Sequence, residues 1–94
     1  VGQGDTTRLV AVDDVLYFRS DSKYTVAVTE TRESVLRTPL KELEQALDPA
    51  FFWRVNRGLI VNVRWVVEAR RDLRGRYRLV LRGRPEVLRT SEAY

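Results

Sequence analysis

The chain has no cysteine, no histidine and no methionine among its 94 residues, and two of these absences close off whole chemistries. Without cysteine there is no disulfide framework and no thiol nucleophile. Without histidine the usual general base is gone, and the two absences together remove most zinc ligation. The acids at Asp13-Asp14 and Asp48 sit where turns are expected, and no glycine-rich phosphate loop of the Walker or dinucleotide type occurs. Neither an enzyme nor a cofactor or metal site is expected. No apolar run approaches the roughly 20 residues of a membrane span, and nothing resembles a signal peptide. The default is a soluble, cytoplasmic module with no membrane partner.

What is present is charge, unevenly placed. Residues 1 to 50 carry six basic against nine acidic side chains, a balance of −3, whereas residues 51 to 94 carry eleven arginines against four acids, a balance of +7. Such asymmetry suits a polyanionic partner, and it equally suits an arginine-rich chain whose charges are simply solvated. The length fits one domain with a modest core, spanning residues 1–94. The first strand starts so near the beginning that the chain is read as a piece of a longer protein.

Short strands dominate the pattern. Thr6 to Val12 reads as a strand, Asp13-Asp14 as a turn, and Val15 to Phe18 as a second strand. After a polar tip near Asp21 to Lys23, Tyr24 to Thr29 alternates, with Tyr24, Val26 and Val28 on one face and Thr25, Ala27 and Thr29 on the other. Ser34 to Arg37 can pair back. Thr38-Pro39 signals a helix over about residues 39–47, with Thr38 as its cap, Pro39 at its first position, and Leu40, Leu43 and Leu47 on one face. Further strands are expected at Trp65 to Ala69, at Arg76 to Arg82 with Tyr77, Leu79 and Leu81 facing one way, and at Val87 to Arg89. Ser91 to Tyr94 is read as a possible helix start. One short helix among many strands makes the fold mostly β.

The most informative stretch runs from Phe51 to Val63. Large apolar residues stand on both sides of Asn56-Arg57-Gly58, so the core grips the flanks and pushes this polar break outward. Arg57 is either a reader of phosphate or guanine or a surface salt-bridge partner, and its anchored setting favours contact. Asn56 either reads a base edge or satisfies its own turn, and turn duty is the reading the residues favour. Asn62, inside the apolar flank, is expected to make a buried structural hydrogen bond. Lys23 and Tyr24 follow a hairpin tip and offer a basic residue beside an aromatic, but Tyr24 equally fits a strand residue packed on the core, the reading the residues favour.

Taken together, Val15-Leu16-Tyr17-Phe18, Ser22-Lys23-Tyr24, Leu40-Lys41-Glu42-Leu43, Phe52-Trp53-Arg54-Val55-Asn56-Arg57-Gly58-Leu59-Ile60-Val61-Asn62 and Gly75-Arg76 resemble the LytTR (LytR/AlgR type) DNA-binding domain. The resemblance runs over essentially the whole chain. It implies stacked antiparallel sheets with one short helix, carried behind an upstream receiver or sensor domain in a bacterial transcriptional regulator. It also implies that loops enter successive major grooves of double-stranded DNA at direct-repeat promoter sites, with the full-length regulator a homodimer. By position, Lys23, Tyr24 and Thr25 match one base-contacting loop, Asn56 and Arg57 a second, and Lys41 a phosphate contact. Thr90 and Ser91, followed by Glu92, match the C-terminal loop, where Arg89 offers the nearest cation. Asn56, Gly58 and Glu92 stand where the family usually has His, Ser and Arg. The competing class is therefore a protein-interaction or dimerisation module that kept the fold and lost DNA binding. RNA binding comes third, without an aromatic ribonucleoprotein motif.

Overall fold

The computed structural model describes residues 2–3, 6–7 and 11–91. Gly2–Gln3 (β1) pairs antiparallel with Thr6–Thr7 (β2). The strand expected over Thr6 to Val12 lies partly outside the described residues, and Val12 to Asp14 forms a single 3-10 turn.

Among the described residues, ten strands and one α-helix follow a simple logic of coverage. Val15–Asp21 (β3) and Tyr24–Thr29 (β4) form a hairpin, Glu33–Leu36 (β5) pairs back on β4, and the helix Leu40–Ala46 (α1) follows. Phe52–Asn56 (β6) and Leu59–Asn62 (β7) form a second hairpin that docks on β3, completing a five-stranded antiparallel sheet in the order β5-β4-β3-β7-β6. Val66–Arg71 (β8), Tyr77–Leu81 (β9) and Val87–Arg89 (β10) make a separate three-stranded antiparallel sheet with β9 in the middle. The fold is mostly β with one short helix.

The five-stranded sheet is covered on both faces. On one, Val15, Phe18, Ala27, Phe52 and Ile60 pack against Leu40, with Leu43 and Leu47 at the margin. On the other, Val26, Val28, Val55, Leu59 and Val61 pack against Leu79, Leu81 and Leu88 of the smaller sheet. Leu16 is the extra residue of a bulge between Val15 and Tyr17, so consecutive side chains both join this second cluster. Each large apolar side chain so buried stabilises the fold by roughly 1.5 to 3 kcal/mol.

Double coverage also explains the buried polar residues. Thr25 is only 2% exposed, and Asn62 is fully buried. Asn62 makes the structural bonds expected of it: Nδ2 donates to the carbonyls of Val15 (3.0 Å) and Asp13 (3.3 Å), and Oδ1 accepts the Arg64 N–H (3.1 Å).

The helix starts later than expected and without the expected cap. Pro39 takes the capping position itself, in extended backbone, with no side-chain cap, and its carbonyl accepts the N–H groups of Glu42 and Leu43. The carbonyl of Thr38 is occupied elsewhere, accepting the Thr25 hydroxyl at 2.7 Å. Tyr24 is a further correction: it heads β4 beyond the covered part of the sheet and is 47% exposed rather than packed on the core.

Candidate nucleic-acid interface

Strand direction brings three loop segments to one end of the molecule. The β3–β4 hairpin closes through Ser22-Lys23, with Asp21 opposite Tyr24. Ser22 has φ 56°, the positive value tight hairpin turns need at their first loop residue, and Lys23 is exposed. Directly below, Thr25 has its hydroxyl committed to Thr38, so this residue anchors the approach to α1 rather than presenting a side chain. The same bond holds the helix start near the hairpin, and Lys41 lies exposed on its first turn.

The second segment is the β6–β7 turn, the polar break of the sequence. Arg54 reaches forward along it, donating from Nη2 to the Arg57 carbonyl at 2.6 Å while Nη1 pairs with Glu44 at 3.2 Å. Asn56 uses both ends of its amide: Oδ1 accepts the Gly58 N–H at 2.9 Å, and Nδ2 donates to the Arg89 carbonyl at 2.7 Å. Its turn duty is thus seen, together with a long-range bond no local reading contains. Arg57 is left pointing outward, exposed and without an ion-pair partner among the described residues.

The third segment is Arg89 to Ser91. The pairing of β6 with β7 shifts register between Arg54 and Asn56, and the intervening Val55 carbonyl accepts the Ser91 N–H at 2.9 Å. Thr90 is held twice by Tyr77: its N–H donates to the Tyr77 carbonyl at 3.0 Å and its hydroxyl accepts the Tyr77 N–H at 2.9 Å. Glu92 and the helix start read at the C-terminus lie outside the described residues.

The first two segments are joined as well. The Ser20 N–H donates to the Gly58 carbonyl at 2.9 Å. A Cβ on Gly58 would stand 2.8 Å from the Ser20 hydroxyl oxygen, so glycine leaves that hydroxyl its present position against the turn. Of the residues singled out in the sequence, the structure gathers Lys23, Tyr24, Asn56, Arg57, Arg89, Thr90 and Ser91 along one edge, with Lys41 beside it. Ser20 and Arg54 were missed as organisers, although Arg54 stands within the signature stretch.

Charge is sorted along the same axis. The opposite end carries Asp13, Asp14, Glu30, Glu33 and Glu86, and several of these acids hold arginines: Asp13 pairs with Arg64 (2.6 Å), Glu86 with Arg84 (2.7 Å), and Glu33 with Arg19, which reaches back from further along β3 (3.0 Å). Tyr17 donates its hydroxyl to Glu86 at 2.6 Å. Burial, reinforced by that carboxylate, pushes the Tyr17 phenol up to about 12. Burial alone would raise Glu86, yet the bonds from Tyr17 and Arg84 outweigh it and leave the carboxyl below its ordinary value. Near the loop end, Asp72 is lowered by the backbone N–H groups of Arg76 and Arg74, which it accepts at 2.9 and 2.8 Å to close the β8–β9 turn. No cluster of three metal-ligating side chains occurs among the described residues, and no helix is long and apolar enough to cross a membrane. The edge offers hydrogen bonds and fixed positive charge.

Fold and edge together define a β-rich module with loop segments gathered at one end. The family model for the LytTr DNA-binding domain matches residues 5–94. The chain is 37% identical over 78 residues to an uncharacterized response regulatory protein of Vibrio cholerae, a match covering 79% of this chain and 30% of that protein. It is 39% identical over 61 residues to the CO-responsive transcriptional regulator RcoM of Rhodospirillum rubrum, covering 65% of this chain and 26% of that one. Its structure is similar to the LytTr DNA-binding domain of a protein described as a methyl-accepting/DNA response regulator from Bacillus cereus, with TM-score 0.89, 25% identity, and coverage of 99% of this chain and 84% of that one. The chain belongs to the LytTR family of DNA-binding domains. It spans less than a third of the length of the curated relatives it matches.

Proposed function

We propose that the chain is the output domain of a bacterial transcriptional regulator and binds double-stranded DNA in a sequence-specific manner. The observation that carries this reading is the stitching of three loop segments into one exposed basic edge, by the Ser20–Gly58 and Asn56–Arg89 hydrogen bonds. A rigid edge of this kind presents guanidinium and ammonium groups at low entropic cost. In this reading the hairpin tip at Lys23-Tyr24 and the turn at Arg57 enter successive major grooves, and Lys41 contacts phosphate. Arg89 and Ser91 face the backbone at the third segment, while Thr25, Asn56 and Thr90 hold the loops in place. The parent protein acts in the cytoplasm behind a receiver or sensor domain and pairs as a homodimer on direct-repeat promoter sites. The names of the relatives, a response regulatory protein and a transcriptional regulator, support such a parent.

The test is fluorescence anisotropy on mixed-sequence duplexes at two salt concentrations, followed by selection of bound duplexes from a random pool. Binding that weakens steeply with salt and yields a recovered sequence supports the reading. No measurable binding at low salt overturns it and favours the protein-interaction module.

A further inference from the structure

The outer face of the three-stranded sheet carries an arrangement that folding alone does not favour. Along β9, Leu79 and Leu81 face the core, so Arg78 and Val80 face outward. The pairing register then places Arg70 of β8 opposite Arg78, and Arg89 of β10 opposite Arg78 from the other side. Three exposed arginines therefore stand on a single rung across all three strands. Directly opposed side chains in such a ladder lie close enough to interact, and like charges there are destabilising.

Few acids relieve this rung. Glu68 pairs with Arg70 at 2.9 Å, an exposed contact of small worth. Asp72, which feels the charge of Arg78, has its carboxylate committed to two backbone N–H groups of its own turn. Arg78 and Arg89 have no ion-pair partner among the described residues. The next rung on the same face, Glu68-Val80-Val87, shows that the sheet does not need arginine there in order to form.

The rung is continuous with the edge described above, because the backbone carbonyl of Arg89 is the one held by Asn56. We infer that Arg70, Arg78 and Arg89 form a lateral phosphate-binding rung that grips the DNA backbone beside the site the loops read. This inference rests on the DNA-binding reading and extends its contact surface from the loop edge onto the face of the smaller sheet. Guanidinium groups suit the role, since they bind phosphate through paired N–H donors and keep their charge at any working pH. Contacts of this kind add affinity and salt dependence without adding sequence preference.

The experiment compares the chain with the double variant R70Q/R78Q and with R32Q, which removes an exposed arginine at the opposite end. Each is titrated by anisotropy with a mixed-sequence duplex over a range of salt. The double variant should bind roughly tenfold more weakly at moderate salt, with a log–log salt slope smaller by about two, while R32Q keeps the parent slope. Its thermal midpoint should match or exceed that of the parent, because a repulsive rung has been relaxed. If the parent binds and the double variant matches it in affinity and slope, the rung is overturned and the loop reading stands; a rung serving an acidic protein instead would give this result. If the parent binds no duplex, both fall.

Discussion

The side-chain amide of Asn56 donates to the backbone carbonyl of Arg89, 2.7 Å away and on the other sheet, while its oxygen accepts the N–H of Gly58. One side chain thus closes its own turn and pins the C-terminal strand to it. Asn56→Asp keeps the acceptor for Gly58 but turns a carboxylate oxygen toward the Arg89 carbonyl. It is expected to cost about 1 to 3 kcal/mol of stability, and Asn56→Ala about 1 to 2. Urea unfolding measures both, and equal stability of the Asp variant and the parent would show that the cross-sheet bond contributes nothing.

Arg57 separates binding from folding. Its guanidinium is exposed and touches no acid among the described residues, so Arg57→Ala should leave the unfolding midpoint unchanged. If the side chain reads a base, specific affinity drops by about 1 to 3 kcal/mol and discrimination at one position relaxes. Wild-type affinity for a selected duplex would remove Arg57 from the site.

Gly58 and Ser20 form a spatial pair. The missing Cβ leaves room for the Ser20 hydroxyl oxygen, which would otherwise lie 2.8 Å away, whereas the Ser20 Cβ would lie at an ordinary 4.0 Å. Gly58→Ala is therefore expected to destabilise by less than about 1 kcal/mol, since the clashing atom is a side-chain tip that can rotate. Adding Ser20→Ala should recover most of the loss. Strict additivity of the two substitutions in a double-mutant cycle would contradict the pairing.

Tyr17 gives the fold a signature at alkaline pH. Its phenol sits at about 12 in the folded chain against 10.0 ordinarily, so the folded state binds the proton more tightly than the unfolded chain does. That contribution is complete below the unfolded value and is lost as pH rises through the folded one. Urea midpoints of the parent should fall more steeply than those of Tyr17→Phe between about pH 10 and 12. At neutral pH the variant starts lower, by about 1 kcal/mol, for want of the bond to Glu86. Parallel curves would refute the assignment.

Local features of this fold were legible, and relations between sheets were not. The polar tip after Phe18, the alternation through Leu79 and the anchored break at Arg57 are each encoded by neighbours in the chain. The helix start was misplaced because Thr38 spends its carbonyl on Thr25, thirteen residues away, and nothing near Thr38 announces that. Tyr24 looked like core because its strand is apolar, yet coverage ends one residue later, at Thr25. The partnership of Asn56 with Arg89 spans 33 residues, and the arginine rung exists only once the register of three strands is known. In the candidate edge, composition supplied the residue types and strand direction supplied their assembly.

Among the described residues, Asp13, Asp14, Glu30, Glu33 and Glu86 gather at one end of the strands while Lys23, Arg57, Arg78 and Arg89 face outward toward the other, a separation of charge along the strand direction. In the field of a polyanion such a body experiences a torque before it makes any contact, and it turns loops-first while still diffusing. Encounters then begin from a narrow range of orientations, and capture is expected to be faster than the same net charge spread evenly would allow. The advantage shrinks as salt shortens the reach of the field to about 8 Å near physiological ionic strength.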